Sequence, residues 1–280
     1  MSAAPALRVA LLVAYDGTAF AGFQSQANGR AVQDVLEAGL ARLYGVGLRV
    51  RGAGRTDAGV HAVGQVCSFD LREPALALRV PLDRLPLALD GILPEDVRVL
   101  GARVASPLFD PRRAAEKTYR YRLLCRPAPC PVRRAFVWHV ERRLDVGAMR
   151  EAGRALTGRH DFSAFAGSGG DRRGHVREVR RLQVEHVGED EVAIDISADG
   201  FLYHMARTIV GTLVEVGSGR RPADAVAGAL SQRSRAAAGA TAPARGLCLV
   251  TVRYPPELEG AWLRAAPPSG PEGARPDADR

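Results

Sequence analysis

The strongest constraint on how this chain can fold is the order in which its hydrophobic period switches between two and 3.6 residues. Residues 8–14 read as a strand. The segment 31-AVQDVLEAGLARL-43 then sets Val32, Val35, Leu36, Leu40 and Leu43 on one helical face. A short strand at 47–51, another at 62–70, a helix at 80–91 weakened by Pro86, and a strand at 96–104 follow. The second half repeats this order. It has a strand at 117–124, a helix over 145–157 starting at Asp145, and a strand pair at 176–186 and 191–199 joined by 188-GED-190. A long helix at 202–217 and a closing strand, 247-LCLVTVRY-254, complete it. A smaller helix near 221–230 and the loops 166–175 and 231–246 read as insertions. Two β-α-β-β-α-β units in succession predict an α+β fold of two pseudo-duplicated ferredoxin-like halves with antiparallel or mixed sheets. The division falls at residues 1–105 and 106–255. Residues 256–280, rich in Pro, Gly and charge, read as a disordered tail.

Composition bounds the rest. With 280 residues and 46% hydrophobic content the chain can fill one large core or two ordinary ones. No run of eighteen apolar residues occurs, so no membrane span is expected. The stretch 9-VALLVA-14 is short and runs straight into the turn 15-YDG-17, which fits a first strand better than a cleaved leader. The four cysteines form no CxxC pair. Cys125 and Cys130 flank RPAP with no further His or Cys pair to complete a metal site, so idle thiols in a reducing cytoplasm are expected. A formal charge of +8 favours a polyanionic partner. Arginine enrichment by itself counts for little, because only Lys117 among the 39 basic residues is lysine, a pattern that GC-rich coding alone produces. No GxxxxGK[ST] or GxGxxG is present, so no nucleotide cofactor is expected.

Three segments carry candidate chemistry. The loop 51-RGAGRTDAGVHAVGQ-65 surrounds one carboxylate, Asp57, with glycine and arginine. Alone it leans towards an Asx turn; the other reading is a site in which Gly52, Gly54 and Gly59 admit a ligand backbone, with Arg55 facing the same cleft as Asp57. His61 is a weaker acid or base candidate there, since nothing in the sequence orients it. The strand 117-KTYRYRL-123 puts Lys117, Tyr119 and Tyr121 on one face and Thr118, Arg120 and Arg122 on the other. That alternation suits base stacking beside phosphate contacts, or an ordinary half-buried strand. The helix 201-FLYHMARTIVGTLVEVG-217 is apolar or small on most sides apart from Glu215. Its Arg207 cannot shed charge and needs an anion, for which Asp57 is the natural partner. A carboxylate held in that way serves as a nucleophile or charge stabiliser rather than as a general acid.

Together, 15-YDGTAFAGFQSQ-26, 54-GRTDAGVHAVGQV-66, 117-KTYRYRL-123, 158-GRHDFSAF-165, 201-FLYHMARTIVG-211 and 241-TAPARGLCLVTVRYP-255 resemble the tRNA pseudouridine synthase A family, in order and approximate spacing, over residues 8–255. The resemblance implies isomerisation of uridine to pseudouridine at positions 38, 39 and 40 of the tRNA anticodon arm, without cofactor or metal. It implies a catalytic cleft between the two halves and a cytoplasmic homodimer. It places the essential aspartate at Asp57, the tyrosine that stacks on the target base at Tyr119, the basic partner at Arg207 and the base-displacing arginine at Arg55. Thr208 stands where many members have Asn, and 110-DPRR-113 is a looser version of the usual segment; both bear on RNA contacts. Phosphate contacts are expected from Arg172, Arg173 and Arg177, and from Arg233 and Arg235. Two other readings stay open at this point: a non-catalytic RNA-binding module or tRNA-folding chaperone, and a related isomerase acting on another RNA.

Overall fold

The computed structural model describes residues 7–72, 76, 79–169 and 174–258. Arg172, Arg173 and nearly all of the expected tail lie outside the described residues. In the first half, β1 (Leu7–Tyr15) leads to α1 (Val32–Tyr44), then to β2 (Arg51–Gly52), β3 (His61–Leu71), α2 (Leu85–Asp90) and β4 (Val97–Val104). In the second, β5 (Glu116–Cys125) is followed by β6 (Trp138–Val140), α3 (Val146–Arg154), β7 (Gly158–Asp161), β8 (Val176–His186) and β9 (Glu191–Ala198). Then come α4 (Met205–Gly217), α5 (Ala225–Gln232) and β10 (Leu247–Arg253).

The ten strands of the described residues join one sheet in the order β4-β1-β3-β10-β5-β9-β8-β7, with β2 on β3 and β6 on β5. Within the first half the order β4-β1-β3-β2 places the strands fourth, first, third, second. In the second half β10-β5-β9-β8 is the same permutation, so the duplication expected from element order is present in the pairing as well. The halves meet edge to edge through a short parallel contact of β3 with β10, in which His61 faces Cys248 and Ala62 faces Leu249. Gly64 makes this seam possible, because a β-carbon there would lie 2.0 Å from the Val250 carbonyl oxygen. One contiguous apolar core runs through both halves, from Val9, Leu36 and Phe69 to Tyr121, Ile194 and Leu213.

Local chemistry explains where elements start and stop. Asp145 caps α3 by accepting from the Ala148 N–H at 2.9 Å. Gly45 ends α1 in the left-handed region at φ 76°, returning its N–H to the Ala41 carbonyl. Pro86 sits in the first turn of α2, so the helix expected over 80–91 shortens to six residues. The strand expected at 47–51 is reduced to Arg51–Gly52. The helix expected from 202 begins at Met205, because His204 takes a left-handed conformation, φ 61°, that interrupts it. The helix expected at 221–230 forms at 225–232. Two short strands, β6 and β7, were not expected; they are edge pairings of three and four residues, too brief for a period to show.

Candidate active site

The seam between the halves brings the three candidate segments together. Residues 53–60 form the loop that enters β3, while β5 lies one strand beyond it across β10. The loop is tied down from its own half. Thr56, buried, shares a hydrogen bond of 2.8 Å with the Tyr15 hydroxyl, and its carbonyl accepts from the Phe23 N–H at 3.1 Å. Gln65 Nε2 donates to the Gly54 carbonyl at 3.0 Å. The Val60 N–H closes a turn on the Asp57 carbonyl at 3.1 Å. With its neighbours fixed in this way, Asp57 has little backbone freedom left.

Arg207 reaches this loop from α4, which is buried along almost its whole circumference; Arg207 and Glu215 are its partly exposed positions. The segment 239–242 covers the helix. A β-carbon on Gly211 would fall 1.7 Å from the Ala240 carbonyl oxygen, so no larger residue fits beneath it. The Gly239 N–H donates to Thr212 Oγ1 at 2.9 Å and the Ala240 N–H to Glu215 Oε1 at 3.0 Å. The Ala242 carbonyl accepts from Arg207 Nε at 2.8 Å, leaving Nη1 to donate to Asp57 Oδ2 at 2.9 Å. The two side chains are 15% and 23% exposed, so the pair is screened by water far less than a surface ion pair. Gly211→Ala is expected to lift segment 239–242 and cost about 1–3 kcal/mol by overpacking, read as a lower melting temperature.

His204 Nε2 also faces Asp57 Oδ2, at 3.5 Å. Burial pushes the pKa of His204 down; Asp57 opposes this, and Arg207 and Arg235 reinforce it. The ring is therefore neutral near pH 7, and its stack on the half-exposed Tyr203 (centroids 3.8 Å apart) helps to fix its orientation. The spacing of His204, three residues from Arg207, is the sequence signal for it, while the left-handed turn before α4 sets its position. Oδ1 of Asp57 has no hydrogen-bond partner among the described residues.

Tyr119 is only 7% exposed and meets Phe201 edge-on, with ring centroids 4.9 Å apart. Burial, and then the charge of Asp57, push its phenol well above the usual tyrosine range. Arg55 is exposed, in a groove also lined by Gln24, Arg49, Arg51 and Arg112. Arg177 lies on β8 with Nη1 on the Val176 carbonyl at 2.7 Å. Arg235 is taken up by the Gly239 carbonyl and Thr241 Oγ1, at 2.8 and 3.1 Å. Arg233 stands 3.7 Å from Asp161.

Three expectations are refined by the packing. A β-carbon at Gly52 or Gly54 would meet the Phe23 ring or the Lys117 side chain, so the protein itself requires glycine at these positions, and both also line the groove beside Arg55. His61 is a clamp: Nδ1 accepts from the Gly17 N–H at 3.0 Å, and Nε2 faces the Ala135 and Arg245 carbonyls at 2.9 and 3.1 Å. Nδ1 also lies 3.1 Å from Asp16 Oδ1, so both ring nitrogens are taken up by groups of the protein itself. Thr208 is fully buried, which removes it from any RNA surface. Among the described residues no cluster of three or more His, Cys, Asp or Glu side chains could hold a metal ion, and no helix is long and apolar enough to cross a membrane.

A family model described as tRNA pseudouridine synthase matches residues 11–112 and 152–255. The chain is 45% identical over 273 residues to the tRNA pseudouridine synthase A of Myxococcus xanthus, covering 97% of this chain and 98% of that protein. It is 45% identical to the Moorella thermoacetica protein of the same name, covering 89% and 100% of the two chains. For the Halalkalibacterium halodurans protein, also of that name, the identity is 46%, with 86% and 90% covered. On the family match and on identity over nearly its whole length, this chain belongs to the tRNA pseudouridine synthase A family.

Proposed function

We propose that the protein isomerises uridine to pseudouridine at positions 38, 39 and 40 in the anticodon stem-loop of tRNA, with Asp57 as the essential carboxylate. The observation that carries this reading is the Asp57–Arg207 pair, set beside the buried Tyr119 at the seam of the halves, in a chain of this family. The halves 1–105 and 106–255 each supply one side of the site, the first Asp57 and the second Tyr119 and Arg207. As the resemblance implies, the enzyme works in the cytoplasm as a homodimer.

The reaction breaks the N1–C1′ bond, turns the uracil and forms a C5–C1′ bond. The proton lost from C5 replaces one gained at N1, so substrate and product have the same composition. No electron acceptor or group donor enters the balance. Asp57 contributes a carboxylate whose Oδ2 is held by Arg207, leaving Oδ1 to attack C1′ or C6. Tyr119 packs against the uracil while it turns. Its raised pKa keeps the phenol neutral at rest, so it takes the C5 proton only by giving up its own. The target base lies in or next to a stem and must be extruded first, at a cost of a few kcal/mol. Arg55 acts as the wedge, and the arginines beside it, together with Arg172, Arg173 and Arg177, grip phosphates and offset that cost.

Release of tritium from tRNA labelled at uridine C5 tests the reading. Release that requires the intact protein supports it. Binding without release by the wild-type protein on any tRNA would establish a binding module or chaperone instead. Tyr119→Phe is expected to keep tRNA affinity and lower turnover by roughly 10²–10⁴, the usual range for losing an acid–base group. Unchanged turnover would confine Tyr119 to stacking.

A further inference from the structure

The single lysine of the chain stands next to the Asp57 loop. Lys117 is on the same face of β5 as Tyr119, two residues or about 7 Å along the strand. Its side chain lies along Gly54, three residues before Asp57: a β-carbon on Gly54 would be 3.0 Å from Nζ and 3.6 Å from Cε. Arg177 approaches from β8, its stem crossing Gly200, where an added β-carbon would be 3.3 Å from Nε. Although Lys117 is largely covered, its ammonium has neither a hydrogen-bond acceptor nor an ion-pair partner among the described residues.

The neighbouring acids are already committed. Glu116 and Glu178 face Arg180, at 3.5 and 3.6 Å. Asp199 accepts from the Glu178 N–H at 2.9 Å, and Asp57 is matched by Arg207. Burial, and then the charge of Arg177, push the pKa of Lys117 down, so holding these two cations together disfavours the charged form. Lys117 and Arg177, two strands apart across β9 and without an anion of the protein's own among the described residues, create a local positive field suited to an external anion.

We propose that Lys117, together with Arg177, holds a phosphodiester group of the RNA strand beside the target nucleotide. The inference rests on the RNA-isomerase reading for the identity of the anion. A slim stem ending in a compact point charge fits the slot over Gly54, whereas the planar fork of a guanidinium would crowd the loop backbone. That gives a physical reason for lysine here in a chain whose other basic residues are all arginine.

The test uses Lys117→Met, which keeps the buried stem and removes the charge. Affinity for an anticodon stem-loop RNA is measured across a salt series, alongside single-turnover tritium release at saturating RNA. Several-fold weaker binding and a salt slope reduced by roughly one are expected, with the saturating rate and melting temperature close to wild type. An unchanged salt slope, or a lower saturating rate with unchanged affinity, overturns the proposal. A second measurement needs no variant. Because Lys117 is the only lysine, acylation of the wild-type protein followed by peptide mapping reports on this amine alone, and bound RNA is expected to protect it. Equal labelling with and without RNA also overturns the proposal. A wild type that releases no tritium, yet shows a Lys117-dependent salt slope, would defeat the isomerase reading and leave the phosphate site standing.

Discussion

Asp57→Asn is expected to abolish tritium release from tRNA labelled at uridine C5 while leaving tRNA binding and folding nearly intact. The substitution is nearly isosteric, and the amide oxygen still accepts from Arg207 Nη1, so the 2.9 Å contact survives in weakened form. What disappears is the negative charge and the nucleophilic oxygen. Loss of a residue that bonds to substrate lowers turnover by roughly 10⁴–10⁶. The assay separates this from a binding defect, because saturating tRNA would rescue weak binding and would not rescue lost chemistry. Tritium release within tenfold of wild type would remove Asp57 from the mechanism. The same result would require another acid to be found at the seam.

Arg207→Met has the second-largest expected effect, and it acts on stability as well as rate. The side chain supplies two contacts at once, to the Ala242 carbonyl and to Asp57, and so links segment 239–242 to the loop of the other half. Removing it strands a partly buried carboxylate and an unmatched carbonyl. Breaking a fully buried pair costs about 3–5 kcal/mol. Here the carboxylate keeps some contact with water, so a loss of about 2–3 kcal/mol is expected, equivalent to a melting temperature lower by roughly 4–8 °C. Turnover should fall further than this, because an unheld Asp57 points Oδ1 in no fixed direction. The double variant Asp57→Asn, Arg207→Met should be less destabilised than the sum of the two single variants, since the stranded charge is gone. Additive losses, or unchanged melting of Arg207→Met, would show that the contact contributes nothing to folding.

Much of the architecture was legible because each element has a period strong enough to stand alone. β1, α1, β3, β5, β9 and β10 each carry several core residues, β8 adds Val179 and Val184, and the order of these elements is enough to imply two ferredoxin-like units. The exceptions share a physical cause. β2, β6 and β7 are two to four residues long and exist only because a neighbouring strand offers backbone partners. The start of α4 depends on His204 in a left-handed conformation, which nothing in its neighbours' chemistry announces.

The site divides in the same way. Arg207 was recognisable as a charge needing an anion, because it lies in a helix with almost no polar face. Asp57 was recognisable as the carboxylate in a loop able to meet it. The role of His61 was not, since its orientation is set by carbonyls of Ala135 and Arg245 that are distant in sequence. Nor was the packing at the loop glycines, because only the fold shows that Phe23 and Lys117 lie against Gly52 and Gly54. Residue type and spacing therefore determined which groups are available: the carboxylate, the tyrosine, the arginine and the order of the elements that carry them. Their meeting was decided by the parallel seam of β3 with β10 and the close approach at Gly211. The first joins residues 187 positions apart and the second residues 29 apart, both beyond the reach of any local period.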